Sequence, residues 1–301
     1  MSVNFMRGLS RTAAAAALGW GLTTGAPQAL ACELTMETPE AVRIDYNPFA
    51  LGASSGPLDI VLHNGSGTAC ELRLSLLDDL GEPLSGLTLG GVAIEFRPRE
   101  TSGVFRRDVE PGVFLLSVPP GGATTAELDA LVISDVVVEA GEHSSDLRLA
   151  ILMPEGDAAA IMPLRLVLQS TPRAQVNIAG SAGAFGSGST VEVVDFGTAA
   201  TGLTRRVFVQ VRANAASTLT VNSEHRGVMR HTEVAEGGTV VPYSAELDGH
   251  LIDLSETWVH RVDPPRTIQG VSLPLDFTLG AVTGQMSGRY EDLLTIDISP
   301  N

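Results

Sequence analysis

The sequence of 301 residues contains no lysine, and all 19 of its basic residues are arginine. Aspartate and glutamate together number 35, which gives a formal net charge of −16 at pH 7. A protein that binds nucleic acid needs a basic face for the phosphates, so this balance argues against a nucleic-acid partner. Dispersed negative charge mainly keeps an exported protein soluble.

Long apolar runs are also missing. No stretch approaches the roughly 18 uninterrupted apolar residues that indicate a membrane-spanning helix, so no membrane span is predicted. A shorter apolar run, residues 12–20, follows Arg7 and Arg11, and Ala29 and Ala31 then form a small-residue cleavage pattern. These features are typical of a secretory signal peptide. We therefore predict that residues 1–31 are a signal peptide and that the protein is exported.

Cysteine is scarce, with Cys32 and Cys70 alone in the chain. Both follow the predicted cleavage site and would meet an oxidising compartment, so the simplest prediction is one disulfide between them. A lipid anchor on Cys32 is less favoured, because that signal normally has leucine where this chain has Ala29. Two cysteines without a histidine cluster do not make a zinc site, and no metal is predicted.

Motifs of catalysis are absent. The sequence has no Gly-x-Ser-x-Gly elbow, no His-Glu-x-x-His, no phosphate-binding glycine loop and no EF-hand series. Its six histidines are dispersed. A carbohydrate-active enzyme on a β-sandwich should place paired carboxylates in an aromatic-lined cleft, and three tyrosines and two tryptophans supply few such rings. We predict a protein that is not an enzyme and needs no cofactor.

Alternation of apolar and polar residues fills most of the remaining chain. Leu72, Leu74 and Leu76 are separated by polar residues, and residues 207–212 and 272–279 alternate in the same way. This period of two is typical of half-buried strands. Helical periodicity is scarce, residues 124–131 being the best short case. Many short strands with one apolar face pack as antiparallel β-sandwiches, so the predicted fold class is all-β.

Two halves share a sequence plan. Asp45-Tyr46 and Asp195-Phe196 are offset by 150 residues, as are two asparagines that end apolar runs, Asn64 and Asn214. Each half also ends in an apolar run followed by Ser or Thr and Pro, at residues 164–172 in the first half and 293–300 in the second.

These parallels predict two tandem antiparallel β-sandwich domains, residues 32–172 and 173–301. A Gly/Ser/Ala-rich stretch, residues 179–189, follows the boundary and predicts a mobile loop.

Several short motifs follow one another in the second half: Val194-Asp195-Phe196-Gly197, Leu219-Thr220-Val221-Asn222-Ser223, Val241-Pro242-Tyr243-Ser244 and Gly288-Arg289-Tyr290-Glu291-Asp292. In this order they resemble the spore coat protein U domain, which forms the pilins of archaic, Csu-type chaperone-usher pili. The resemblance covers residues 174–301. In the first half, Cys32, residues 46–49 and Cys70 are similar to the opening of the same domain, whereas residues 84–122 match nothing identifiable. Unlike many relatives, the second half has no cysteine.

The resemblance implies immunoglobulin-like, pilin-like sandwiches, of which the C-terminal one lacks one strand. A periplasmic chaperone and, after passage to an outer-membrane usher, a neighbouring pilin subunit would donate that strand, which is a form of β-augmentation. One wall of the acceptor groove would be the last strand, with Tyr290, Leu294, Ile296 and Ile298 on one face. The same alternation also suits an ordinary closing core strand.

A disulfide at Cys32 would fix the start of the exported chain to the first domain and leave no free arm to donate. This favours the tip of a surface pilus, with residues 32–172 as the presenting or adhesive domain. Val104 and Phe105, between Gly103 and Arg106, are candidate loop residues for contact with a surface. Two alternatives remain, a shaft pilin or coat-like structural protein and a soluble periplasmic binding module.

Overall fold

The computed structural model describes residues 32–99, 105–234 and 238–301. These residues form 21 β-strands and no helix, so the prediction of an all-β protein is confirmed. No helix in the described ranges is long and apolar enough to cross a membrane.

Eleven strands belong to the first half of the chain. They are β1 (Leu34–Glu37), β2 (Ala41–Tyr46), β3 (Ser55–Asn64), β4 (Cys70–Leu77), β5 (Gly86–Leu89), β6 (Val92–Pro98), β7 (Phe105–Arg107), β8 (Val113–Val118), β9 (Ala123–Val132), β10 (Gly141–Leu152) and β11 (Ala158–Ser170).

Ten strands belong to the second half. They are β12 (Ala174–Ala179), β13 (Thr204–Ala213), β14 (Ser217–Ser223), β15 (Val228–His231), β16 (Val240–Leu247), β17 (His250–Ile252), β18 (Trp258–Val262), β19 (Val271–Leu279), β20 (Tyr290–Glu291) and β21 (Leu294–Pro300).

The first half forms two sheets, with strand orders β1-β3-β9-β6-β5 and β2-β11-β10-β4-β8-β7. All pairs in them are antiparallel except β2 and β11, which run parallel from Ala41 beside Arg165 to Tyr46 beside Ser170. Alternate residues of each strand point into one apolar core between the sheets, as Leu58, Ile60 and Leu62 do on β3.

Residues 124–131, the best helical candidate in the sequence, lie in β9. Ala126, Leu128 and Ala130 are buried there, and the residues between them are less so, which is a period of two. β9 pairs with β3 along one edge and with β6 along the other. Pairing on both sides satisfies the backbone and outweighs the helix propensity of alanine, leucine and glutamate.

The second half also forms two sheets. One has the order β12-β13-β19-β16-β15-β20, with β17 beside β16, and the other has the order β18-β14-β21. Val209, Val211, Leu219 and Leu275 are buried in the second core. Among the described residues, strands of each half pair only with strands of the same half.

Asn214 joins the two halves where the chain passes from one to the other. Its Nδ2 donates to Ser170 Oγ and to Thr171 O, both at 3.0 Å, and its Oδ1 accepts from Arg173 N at 2.7 Å. Its backbone carbonyl accepts from Ala140 N at 2.9 Å. This buried side chain therefore satisfies the backbone on both sides of residue 172.

Arg212 lies between two aromatic rings at the same junction. Its guanidinium carbon is 4.7 Å from the ring centroid of Phe49 in the first half and 4.2 Å from that of Phe185 in the second. Burial lowers the pKa of Arg212 below its usual value. Phe185 belongs to the stretch predicted as a mobile loop, and its N donates to Gln269 O at 2.8 Å.

Candidate functional site

The two halves correspond in three neighbouring strands of each of their two sheets. In the first half β3 lies between β1 and β9, and in the second β13 lies between β12 and β19. Likewise β4 lies between β10 and β8, and β14 lies between β21 and β18. By its pairing, β21 is therefore the counterpart of β10.

One strand of the first half, β11, has no counterpart among the described residues of the second. β11 pairs with β10 along one edge and with β2 along the other. In the second half, β21 pairs with β14, and no strand of the described ranges pairs with its other edge. Residues 191–196, which match β2 by the 150-residue offset, form no strand. The backbone edge of β21 is thus open.

Several apolar side chains of the second half are only half-buried where the first half buries their counterparts. Ile44 and Tyr46 of β2 are 0% and 5% exposed, whereas Val194 and Phe196 at the matching positions are only half-buried against the second core. Leu294, Ile296 and Ile298 of β21 are likewise half-buried against that core. We call the unpaired edge of β21, together with its half-buried Leu294, Ile296 and Ile298, the open groove.

The second core as a whole is less complete than the first. The first cluster contains 28 buried residues with 7 half-buried apolar neighbours. The second contains 11 buried residues with 12 half-buried apolar neighbours, counted among the described residues. Half-exposed apolar side chains on this scale mark a surface that another element can cover.

Tyr290 does not lie on this groove, so the prediction that it shares a face with Leu294, Ile296 and Ile298 is wrong. It belongs to β20, beside His231 of β15, and its hydroxyl is 2.6 Å from Thr239 Oγ1. Its ring meets the His231 ring edge to face at 5.2 Å between centroids. The other three residues do lie together on β21, and their role in strand acceptance stays a prediction.

Asp292 explains the break between β20 and β21. Its buried carboxylate accepts from Ser223 Oγ at 2.6 Å, Tyr243 Oη at 2.5 Å and the backbone N of His225 at 2.9 Å. His225 Nδ1 is 3.1 Å away without the geometry of a hydrogen bond. Burial, and then the bond to Asp292, raise the pKa of Tyr243. These donors hold the chain at Asp292 and fix the start of β21.

Cys32 and Cys70 form the predicted disulfide, with 6.0 Å between their α-carbons. Cys70 begins β4 and is buried, and β1 begins two residues after Cys32. The chain is therefore fixed to the first half from Cys32 onward.

The role of Val104 and Phe105 in contact with a surface stays a prediction. Val104 lies outside the described residues. Phe105 begins β7, which pairs with β8 at the edge of the six-stranded sheet, and its side chain is also outside the described part.

In sequence, the end of the first half, residues 164–172, resembles the end of the second, residues 293–300. The structure shows that these two ranges are not counterparts. The first range lies in and after β11, whereas the second lies in and after β21, the counterpart of β10. A count of alternating runs would have found the difference. Two long runs, β10 and β11, follow β9, but only one, β21, follows β19.

No family model and no curated protein matches the chain. The resemblance to the spore coat protein U domain therefore stays a prediction. The chain is similar to a solved complex described as the CsuC-CsuE chaperone-tip adhesion subunit pre-assembly complex of archaic chaperone-usher Csu pili from Acinetobacter baumannii. The TM-score is 0.44 at 9% identity, covering 88% of this chain and 99% of that chain.

It is also similar to the CupB6 tip adhesin from Pseudomonas aeruginosa, with TM-score 0.40, 12% identity and coverage of 88% and 93%. A third similar structure is CfaE, the adhesive subunit of CFA/I fimbria of enterotoxigenic Escherichia coli, with TM-score 0.36, 12% identity and coverage of 88% and 94%. Likenesses this distant carry no functional conclusion.

Proposed function

We propose that this protein is a subunit of a bacterial surface fibre that accepts a β-strand from a partner into its open groove. The proposal rests on one observation: within the described ranges, no counterpart of β11 pairs with the second edge of β21. An open strand edge next to half-exposed apolar side chains is a template for an added strand.

In the first half, β11 indicates the direction and the side-chain pattern that a donated strand would have. β11 runs antiparallel to β10 and parallel to β2, and its Leu164, Leu166 and Leu168 are buried in the first core. A donor in the open groove would by analogy run antiparallel to β21. It would place alternate apolar side chains on Leu294, Ile296 and Ile298.

The donors fit the partners implied by the sequence resemblance. A periplasmic chaperone would cover the groove before assembly, and a neighbouring pilin subunit would fill it in the fibre after passage through an outer-membrane usher. The same resemblance places the protein on the cell surface, in a pilus. A groove left open would promote aggregation, which is the physical reason for a chaperone.

Within such a fibre we place the protein at the tip, as a subunit that mediates attachment. If residues 1–31 are removed, the exported chain begins at Cys32, which is bonded to Cys70. The start of such a chain is fixed to the first half and is not free to fill the groove of another subunit. Residues 32–172, with a complete core of their own, would be the presenting domain, and residues 173–301 the strand-accepting domain.

A strand appended to the chain tests the groove directly. We would add a copy of residues 153–170, the turn and strand of β11, after Asn301, so that the copy can fold back on β21. Each buried leucine contributes about 1.5–3 kcal/mol. We expect a soluble monomer whose second half melts roughly 10 °C higher than in the parent, measured by calorimetry and light scattering.

The matched control carries the same appended copy with the leucines copied from Leu164, Leu166 and Leu168 replaced by aspartate. This control should aggregate and melt like the parent. If the two appended chains behave alike, or if the parent is itself a stable monomer at high concentration, strand acceptance is rejected.

Position in the fibre needs a separate test. Immunogold labelling with antibodies against residues 32–172 should mark fibre ends for a tip subunit. Labelling along the whole length would instead support the alternative, a shaft pilin.

A further inference from the structure

Two histidines and a tryptophan meet at the side of the second half that lies away from the open groove. His250 begins β17 after the turn at Asp248 and Gly249, and Trp258 and His260 lie on one face of β18. β18 and β21 are opposite edges of the three-stranded sheet.

The three rings lie in a row, with His260 stacked on Trp258 and His250 tilted by 45° against His260. The centroids of His250 and His260 are 4.8 Å apart, and those of Trp258 and His260 are 5.1 Å apart with only 7° between the ring planes. His250 shares its face of β17 with the buried Ile252, so it is directed toward the opposite sheet.

Free nitrogen lone pairs remain on both imidazoles. Nδ1 of His250 is 3.1 Å from the carbonyl oxygen of Asp248. Because a carbonyl only accepts, Nδ1 carries the hydrogen and Nε2 presents its lone pair. The His260 ring has no hydrogen bond, and neither ring has a carboxylate partner, within the ranges that the structure describes. His250 is exposed and His260 half-buried, so a small solute can reach them.

We propose that His250 and His260 together bind a divalent transition-metal ion of the Cu²⁺ and Zn²⁺ class. Imidazole nitrogen is a preferred ligand of these ions, and Cu²⁺ binds a given nitrogen site most tightly among them. A histidine whose second nitrogen donates to a backbone carbonyl is oriented for ligation, as His250 is by Asp248. Water would complete the coordination.

The ion would also join the two sheets of the second half. β17 belongs with β16 in the larger sheet, and β18 belongs with β14 in the smaller one. Ligands from both would clamp this edge of the sandwich, while donor-strand acceptance concerns the other edge. The metal site therefore does not depend on the proposed function.

The fluorescence of Trp258 would report whether a metal ion is bound. Trp20 is the other tryptophan of the chain, so a Trp20→Phe background leaves Trp258 as the single indole emitter. We expect Cu²⁺ to quench its fluorescence saturably, EDTA to reverse the quenching, Zn²⁺ to compete with Cu²⁺ and restore emission, and Mg²⁺ to have no effect.

His250→Gln and His260→Gln should each weaken Cu²⁺ binding by about tenfold or more, measured both by quenching and by isothermal titration calorimetry. The matched control is His143→Gln, a half-buried single histidine in the first half, which should leave binding unchanged. Circular dichroism would verify that each variant is folded. The proposal is overturned if quenching does not saturate, or if folded His250→Gln and His260→Gln bind Cu²⁺ as the parent does.

Discussion

Gly288 and His231 form a tight local contact at the end of the second half. The Gly288 backbone has φ +151°, and a β-carbon there would lie 2.0 Å from His231 Nε2. The buried His231 ring accepts from Glu233 N at Nδ1, 3.1 Å away, and its Nε2 lies 3.2 Å from Ser287 O. The ring is therefore held by hydrogen bonds on both nitrogens and cannot move aside without losing them.

Replacement of Gly288 by alanine should therefore destabilise the second half by about 2 kcal/mol or more, through backbone strain and the clash. Urea unfolding monitored by Trp258 fluorescence measures this. Gly284→Ala is the matched control, since Gly284 has φ +75° and nothing within 4 Å of its added β-carbon. The control should cost only about 1 kcal/mol. Equal losses of unfolding free energy in the two variants would show that the contact between Gly288 and His231 does not matter for stability.

The Cys32–Cys70 bond closes a sequence separation of 38 residues in the first half. In the chain-entropy account, a loop of this size contributes about 3–4 kcal/mol. We expect the double variant Cys32→Ser, Cys70→Ser to lower the unfolding free energy of the first half by this amount. Dithiothreitol should have the same effect on the parent and none on the variant, as measured by guanidinium unfolding. A reductant-insensitive parent would show that the bond does not stabilise the fold.

β21 presents different surroundings on its two sides. One edge is hydrogen-bonded to β14 over Ser217–Ser223, and the other is open. Its inward residues, Leu294, Ile296 and Ile298, are only half-buried, whereas Leu219 and Val221 of the adjacent β14 are buried. The strand is thus well placed in the sheet and poorly covered at its side chains.

Ile296→Ser should consequently cost little in the parent, about 1 kcal/mol, because the side chain is half-exposed. In the chain with the appended β11 copy, the same change should cost about 3 kcal/mol, since the donor buries the side chain. Asp297→Ser is the control, on the exposed face of the same strand, and should cost the same in both chains. Thermal unfolding of the four variants gives the comparison, and equal costs for Ile296→Ser in both chains would count against the groove.

The two halves are joined by more than the chain. Asn214 satisfies backbone groups on both sides of residue 172, and Arg212 lies between Phe49 of the first half and Phe185 of the second. Phe185 lies in a hairpin whose Ile178 and Ser189 exchange hydrogen bonds at 2.8 Å. These contacts restrain the halves, so force on one can be carried to the other.

Loss of the Arg212 guanidinium should weaken this joint. Two cation–π contacts are worth about 1–2 kcal/mol, so Arg212→Leu should separate the melting transitions of the two halves in calorimetry. It should also speed proteolysis near residues 171–173. Arg206→Leu is the control on the same strand, where an exposed ion pair with Asp276 contributes about 1 kcal/mol or less. An unchanged cleavage rate in Arg212→Leu would show that the rings do not secure the joint.

The sequence alone was sufficient for features that depend on local pattern. Period-two alternation identified β4, β13 and β19 because each strand buries one face, whatever its neighbours are. The cysteine pair was equally accessible, since Cys32 and Cys70 had no other partner in the chain. Residues 124–131 were ambiguous because alanine, leucine and glutamate favour a helix until two neighbouring strands supply hydrogen bonds.

Only the tertiary structure decided which strand lacks a partner. An inward-facing apolar residue looks the same in sequence whether a neighbouring strand covers it, as at Ile44, or does not, as at Val194. The separation of Tyr290 from β21 depends on donors to Asp292 from residues about 50–70 positions away. The meeting of His250 with His260 likewise joins different strands, and that of Arg212 with Phe49 joins β13 to the turn after β2. Such neighbours are set by strand pairing across long loops, which local periodicity does not encode.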